Sequence, residues 1–238
     1  MQLSKLENKA YELLVKNKLS VFKLRDISLL MNISKIKSYN LVKALKKKGA
    51  IESVKGGLFS IKGTDEFVIG ANLNWPSYLS FWSALSYYGF SEQMPKTIFF
   101  ASTKYHKEIK NFKYITLAKH RFFGYIAIGD IIIAEKEKAI IDSLLFPKYS
   151  GGMKEIKKSI EKALSEINLA KLIDYSIKIK SKVVIKRLGF LLEELKVKKS
   201  KIDKLQKSIK KGKGYESLDS IMPRKNNFNK KWMLDINW

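Results

Sequence analysis

The sequence has 238 residues, with 47 lysines and arginines against 22 aspartates and glutamates, and its net charge is +25. This length fits one large domain or two small ones, and a hydrophobic share of 45% excludes a chain that is disordered throughout. The sequence contains no cysteine and two histidines, which excludes disulfide scaffolds, thiolate metal sites, cysteine nucleophiles and histidine-rich metal sites.

The positive charge is unevenly distributed along the chain. Residues 1–63 hold 14 basic and four acidic residues, residues 64–149 hold 10 and eight, and residues 150–238 hold 23 and 10. A polyanionic partner is therefore expected, because lysines that neutralise phosphates release counterions. The alternative is a lysine-rich composition without functional meaning, but a uniform bias would not leave the central third nearly neutral.

Neither a secretion signal nor a membrane span is visible in the sequence. Residues 1–17 have the pattern of a charged amphipathic helix rather than a basic tip followed by an apolar run. The most apolar stretch, residues 122–134, is interrupted by Gly124, Gly129 and Asp130 and is too short to cross a bilayer. The sequence predicts a cytoplasmic protein without a membrane partner.

The spacing of apolar residues predicts three helices near the N-terminus, over residues 3–17, 25–31 and 35–48. A short turn separates the second helix from the third. Ser34 is a favourable N-cap for the third helix, and Gly49 stands where a left-handed residue ends a helix.

A β-hairpin is predicted directly after these helices. Two strands, 51–54 and 58–61, flank a Lys-Gly-Gly turn. Three helices and a hairpin in this order are the pattern of a winged helix-turn-helix domain, and the stretch 24–54 resembles that family. The predicted domain covers residues 1–63, with a linker beginning at Gly63.

The third helix carries the predicted contacts with double-stranded DNA. The side of this helix that is expected to be buried contains Ser38, Leu41 or Val42, and Leu45. The opposite side has no acidic residue and would then face the major groove. Asn40 is expected to pair with adenine, and Tyr39 with a thymine methyl group or a phosphate. The predicted DNA-binding residues are Lys35, Lys37, Tyr39, Asn40 and Lys43 on the helix, with Lys55 at the hairpin tip and Lys62 beyond it. The alternatives are a solvated helix face and a winged helix that binds only protein.

Mixed helices and strands are predicted for the rest of the chain. A helix is expected from Pro76 to Gly89. The predicted strands cover residues 96–101, 112–118, 122–128 and 131–134, and the later helices cover 135–146, 153–167, 169–179 and 181–196. The fold class is therefore α+β, with an N-terminal winged helix-turn-helix followed by a mixed α+β domain, 64–238, whose C-terminal part is helical.

Four segments in this second region resemble the AbiEi antitoxin family of abortive-infection, phage-defence systems. They are SALSYYGFSEQMPKTIFFAST (83–103), IAEKEKAIIDSLLFPKYSGG (133–152), KRLGFLLEEL (186–195) and KKWMLDINW (230–238). The resemblance implies an antitoxin that is encoded beside a nucleotidyltransferase-like toxin. It implies that the winged helix binds inverted repeats in its own promoter and represses transcription. The C-terminal domain would counter the toxin, in many cases without a stable complex.

The resemblance also singles out a set of motif residues, most of which are expected to be structural. They are Ser83, Ala84, Leu85, Gly89, Pro95, Glu137, Lys138, Ala139, Asp142, Arg187, Leu188 and Gly189. An ion pair between Glu137 and Arg187 across two helices is one expectation.

A lysine-rich segment, 196–213, contains nine lysines and one aspartate. Two interpretations are open: a flexible segment that grips DNA, or a solvated helix face. Gly212 and Gly214 favour a mobile connection, after which the C-terminal residues would return and dock on the body.

The sequence offers little support for an enzyme, and no catalytic, cofactor or metal-binding residue is predicted. Neither His106 nor His120 stands in the context of a hydrolase triad. The acid-x-lysine triplets 108–110 and 155–157 are expected by chance in so lysine-rich a chain, and Asp130 lacks a suitably placed lysine. The other functions considered are an RNA- or tRNA-binding protein that shields a toxin's substrate, a stand-alone winged-helix regulator, and a metal-dependent nuclease.

Overall fold

Two compact units make up the chain, Met1–Trp75 and Pro76–Trp238, in a computed structural model. The structure describes residues 2–105, 108–109, 111–209 and 214–238. Both units combine helices with β-sheet, which confirms the predicted α+β class. The division falls after Trp75 rather than at Gly63, because a further helix packs with the first unit. Within the described ranges no helix is long and apolar enough to cross a membrane.

The first unit consists of helices on a small antiparallel sheet. Its elements are α1 (Lys5–Lys16), β1 (Val21–Lys23), α2 (Leu24–Met31), α3 (Lys35–Lys47), β2 (Ile51–Lys55), β3 (Leu58–Ile61) and α4 (Glu66–Leu73). Helices α1 to α3 and the β2–β3 hairpin lie where the sequence predicts them. Strand β1 was not predicted; it pairs with β3 to give the order β1-β3-β2. Helix α4 was not predicted either, and it packs against β1.

An ion pair and a hydrophobic core fix α3 in this unit. The carboxylate of Glu7 on α1 accepts hydrogen bonds from the backbone of Ser4 and from Nζ of Lys48, each at 2.6 Å. The bond from Lys48 is the main cause that lowers the pKa of Glu7. Since Lys48 directly follows α3, the pair joins the start of α1 to the end of α3. The core residues are Ala10, Leu14, Phe22, Ile27, Leu41, Val42, Leu45, Ala50 and Ile51.

The second unit begins with a mixed sheet and continues with helices. Its strands are β4 (Ser77–Leu79), β5 (Ile98–Ser102), β6 (Phe112–Thr116), β7 (Tyr125–Ile128), β8 (Ile131–Ala134), β9 (Glu216–Ser217), β10 (Phe228–Asn229) and β11 (Leu234–Asp235). Its helices are α5 (Phe81–Tyr87), α6 (Lys136–Leu145), α7 (Met153–Ala163), α8 (Leu169–Lys178), α9 (Lys182–Glu194) and α10 (Lys199–Ser208). In the described chain the larger sheet has the order β6-β5-β4-β8-β7, with β4 parallel to β8 and antiparallel to β5.

The predicted helix from Pro76 is wrong in its first part, where the chain forms the central strand β4. All three residues of β4 are buried, so the strand has no polar alternation that would distinguish it from a helix. The chain turns into α5 at Phe81, whose φ of 56° is left-handed. Burial of Phe81 between the rings of Phe146 and Tyr149 holds this strained conformation.

A buried polar cluster joins α6 to β4. Lys138 and Asp142 are fully buried and form an ion pair one helical turn apart. The carboxylate of Asp142 accepts hydrogen bonds from the hydroxyls of Tyr78 at 3.0 Å and Ser80 at 2.8 Å. Burial lowers the pKa of Lys138, while the adjacent Asp142 opposes that shift. These motif residues therefore have partners in the interior, as expected for structural residues.

The C-terminal tail docks on the second unit, as predicted. Trp232 is 1% exposed and lies against α9 at Gly189, where an added Cβ would be 2.0 Å from Cζ3 of the indole. Strand β11 pairs with β9 and β10 in a second small sheet. The motif glycine and the tryptophan-rich tail are thus two halves of one contact.

Most of the lysine-rich segment is helical. Helix α10 buries Ile202 and Leu205, which lie three residues apart, and its lysines face outward. The interpretation as a solvated helix face therefore holds for residues 199–208. Residues 210–213, on which the prediction of a mobile connection partly rests, lie outside the described residues.

The contact at Gly189 generates a stability prediction. Gly189→Ala should lower the free energy of unfolding of the second unit by about 1–3 kcal/mol, because the new methyl group displaces the buried indole. In a Trp232→Ala background the same substitution should be neutral or stabilising, since alanine favours a helix by about 1 kcal/mol over glycine. Chemical denaturation followed by circular dichroism measures both effects. Equal destabilisation in the two backgrounds would contradict the contact.

Candidate nucleic-acid interface

The start of α3 is fixed by its own sequence. Asn32 ends α2 in a left-handed conformation, with φ of 49°, and reverses the chain. Ser34 then caps α3 by accepting the backbone N–H of Lys37 at 3.4 Å. The hydroxyl of Ser38 donates to the carbonyl of Ser34 at 3.0 Å. These contacts determine where α3 begins, and so which of its residues face inward.

One side of α3 is buried, as the sequence predicts. Ser38, Leu41, Val42 and Leu45 are at most 5% exposed. Their spacing of three, four and seven residues places them on a single stripe. Successive residues of an α-helix are rotated by a fixed angle about the helix axis. The residues on the side opposite the buried stripe must therefore face outward.

All seven predicted DNA-binding residues are exposed in the structure. Five lie on α3, and Tyr39 is 56% exposed. Lys55 and Lys62, however, lie at opposite ends of the hairpin. Lys55 precedes the tight turn at its tip, whereas the backbone N–H of Lys62 donates to the carbonyl of Ala50 at the hairpin base, directly after α3. The structure therefore places Lys62 near the C-terminal end of α3.

Sequence reasoning missed the centre of the exposed face. Ile36 is 75% exposed and forms a line with Asn40, Lys43 and Lys47 at steps of four, three and four residues. This line is directly opposite the buried stripe, so a helical projection of the sequence would have found it. An isoleucine so exposed is available to contact an apolar group on a partner.

The lysines of this face have no acidic partner within the part of the chain that the structure describes. Among the residues that the structure describes, none of the lysines at 35, 37, 43, 55 and 62 forms an ion pair within 4.0 Å. The first turn of α3 contains no acidic residue. Lys35 and Lys37 there oppose the positive end of the helix dipole, which costs about 0.3–1 kcal/mol each. This end of α3 therefore combines lysine charge with the positive end of the helix dipole, a combination that favours anions.

The residues considered for catalysis are scattered. His120 is exposed in a 3-10 turn, Lys119–Arg121, and Asp130 is exposed in the turn after β7. Glu155 lies on α7 and accepts a hydrogen bond from Ser91 at 2.6 Å. Across the described ranges no group of three acidic residues or histidines is arranged to hold a metal ion. His106 and Lys110 lie outside the described residues.

The expected ion pair between Glu137 and Arg187 does not form. Glu137 accepts the backbone N–H of Asn168 at 2.8 Å and lies 3.5 Å from Nζ of Lys171. Arg187 instead donates to two backbone carbonyls elsewhere in the second unit. Both side chains are buried in contacts that hold helices and loops together.

Comparison with known proteins establishes the fold and no more. No family model matches the chain, and no curated protein does. A crystal structure of the RV2827C protein from Mycobacterium tuberculosis matches with a TM-score of 0.67 and 9% sequence identity, over 98% of this chain and 92% of that one. The chain therefore shares an α+β architecture with that protein along nearly its whole length, while function has to be argued from the site.

The orientation of α3 predicts opposite results for two substitutions. Leu45→Ala should destabilise the first unit by about 2–5 kcal/mol, because it leaves a cavity in the core. Lys43→Ala, two residues away on the exposed face, should change stability by less than about 0.5 kcal/mol. Amide hydrogen exchange in α1 to α3 reports the stability of this unit in the full chain. A Lys43→Ala variant as unstable as Leu45→Ala would show that the face is misassigned.

Proposed function

We propose that the first unit is a winged helix-turn-helix domain that binds double-stranded DNA through α3. The observation that carries this proposal is the exposed lysine face of α3, which lacks intramolecular ion pairs in the described chain and lies opposite the buried stripe. Such a face is the electrostatic footprint of a protein that neutralises phosphates.

In this proposal α3 lies in the major groove, and its N-terminal half contacts base edges. Asn40 pairs with an adenine edge, and Ile36 and Tyr39 contact thymine methyl groups. Lys35, Lys37 and the N-terminal N–H groups of α3 hold phosphates. Lysines farther along the helix, Lys43 and Lys47, bind the backbone across the groove, as does Lys62 beside the end of α3. Lys55 at the hairpin tip reaches the flanking backbone or minor groove.

The proposed biological role is that of an autorepressing antitoxin. The first unit would bind inverted repeats in its own promoter, and the second would counter a nucleotidyltransferase-like toxin. The support for this role is the ordered resemblance of four segments to the AbiEi family. Those segments contribute β5, α6, parts of α5, β8 and α9, and the docked tail to the second unit. They are largely interior, so the resemblance concerns the framework of that unit and identifies no toxin-contacting surface.

RNA binding by the second unit is a second candidate function. The observation that favours it is the charge of residues 150–238, with 23 basic and 10 acidic residues. The outward lysines of α10 contribute to this charge. An antitoxin that shields RNA from its toxin would use this surface, and the two functions can coexist in one chain.

Binding to upstream DNA tests the first proposal. The full chain should bind a duplex from its own upstream region and prefer it to a scrambled duplex in fluorescence anisotropy titrations. If about six phosphates are neutralised, affinity should fall by about a thousandfold between about 50 and 200 mM salt. Lys37→Ala, Tyr39→Ala and Asn40→Ala combined should abolish the sequence preference.

The matched control combines Lys5→Ala, Asn8→Ala and Lys9→Ala on the exposed side of α1. It removes comparable polar groups from the same unit and should keep the preference for the upstream duplex. If the α3 variant still selects that duplex normally, the assignment of α3 as the reading helix is wrong. The same titrations with RNA separate the second candidate, which predicts that the α3 variant keeps the RNA affinity of the wild type.

A further inference from the structure

A second basic site lies within the second unit, in a cleft of about 590 Å³. Three cationic residues line it, Lys148, Arg187 and Arg224, together with Ser217 and Ser220. These residues come from the turn after α6, from α9, and from the loop that leads to the C-terminal tail. The fold thus gathers cations that are far apart in sequence.

Arg187 is the buried member of this set, at 4% exposure. Its Nη1 donates to the carbonyl of Leu144 at 2.7 Å and its Nη2 to that of Ser217 at 3.2 Å. Each terminal nitrogen has a second N–H, and Nε has no hydrogen-bond partner among the described residues. Burial lowers the pKa of Arg187 to about 10, so the guanidinium remains charged at neutral pH. A buried charged donor group with unused N–H groups is costly unless water or a ligand accepts them.

The acidic side chains near Arg187 have other partners. Glu216, which also lines the cleft, lies 3.6 Å from Nζ of the buried Lys186. The carboxylate of Asp219 accepts the backbone N–H groups of Met153 at 2.7 Å and Ile221 at 2.9 Å. The positive charge of the cleft is therefore only partly balanced from within the protein.

The exposed cations of the cleft remain available to a ligand. Among the described residues, Arg224 makes one weak hydrogen bond, from Nη2 to the carbonyl of Tyr215 at 3.3 Å. Lys148 lies over the ring of Tyr149, with Nζ 4.9 Å from the ring centre. Two arginines, a lysine and two serine hydroxyls are the groups that proteins use to hold phosphate oxygens.

The same cleft has an apolar part, formed by Leu145, Phe146 and Val183. Phe146 is half-buried, so part of this residue is accessible from the cleft. Cations with hydroxyls match a phosphate group, and an aromatic ring beside them matches a base. We propose that this cleft binds the phosphate of a nucleotide, with the base against its apolar part. The nucleotide is either free or the 5′-terminal residue of an RNA strand.

No residue of α3 takes part in this site, so nucleotide binding here is separate from the proposed DNA binding. A loss of operator binding in the α3 variant leaves the cleft intact. Conversely, a variant of the cleft leaves the face of α3 intact. The two proposals can therefore fail independently.

Calorimetric titration of the full chain with adenosine 5′-monophosphate tests the site, with adenosine as the probe that lacks the phosphate. The test variant combines Lys148→Gln and Arg224→Gln, which are both exposed side chains. The control combines Lys154→Gln and Lys230→Gln, which removes the same charge from exposed positions of the same unit outside the cleft. The monophosphate should bind and adenosine should not. The test variant should weaken binding by about tenfold or more, and the control by less than about twofold.

Further arms identify the source of the phosphate. A short oligoribonucleotide with a 5′-phosphate, compared with its 5′-hydroxyl form, reports binding of a strand end. Tighter binding of the mononucleotide identifies a free nucleotide, and tighter binding of the 5′-phosphorylated strand identifies RNA. Arg187→Lys keeps the buried positive charge but removes the planar guanidinium and its several N–H donors. This variant should also weaken binding, and a thermal unfolding measurement should show that it is still folded. The proposal is overturned if no phosphate-bearing probe binds, if adenosine binds equally well, or if the control loses as much affinity as the test variant.

Discussion

The burial of one stripe of α3 is the constraint on which the functional account depends. Four residues are packed into the core of the first unit: Ser38, Leu41, Val42 and Leu45. Helical geometry fixes the position of every other residue of α3 relative to this stripe. The opposite face must therefore be exposed, with Ile36 at its centre and lysines along it. Rotation of α3 by one residue would bury lysines without partners, at a cost of several kcal/mol each.

In the second unit, by contrast, many of the residues that the sequence singles out are polar groups in the interior. Lys138 and Asp142 bind each other and the central strand, and Gly189 leaves room for Trp232. Resemblance to a family through such residues is evidence about architecture. The charged side chains that a partner can contact lie elsewhere, in the cleft around Arg187 and on α10. Each unit thus has its own accessible basic surface.

Sequence patterns predicted the elements whose apolar spacing is regular and whose ends are capped, such as α3 between Ser34 and Gly49. They failed for β4, whose three buried residues show no alternation, and they left α10 open between a flexible segment and a solvated helix face, because this helix buries two residues, Ile202 and Leu205, in the described chain. The exposed face of α3 followed from helical periodicity, although the predicted contact residues did not include Ile36, which is 75% exposed at the centre of that face. The cleft could not be predicted, since tertiary packing alone brings its cations together.

Amide hydrogen exchange of the full chain, with and without duplex DNA from its own upstream region, tests the central claim most directly. DNA that lies against α3 and the hairpin tip should slow exchange within residues 35–47 and around Lys55, and leave the buried amides of the second unit unchanged. Protection confined to residues 76–238, with α3 exchanging at the same rate in both states, would contradict the assignment of α3 as the helix that contacts DNA.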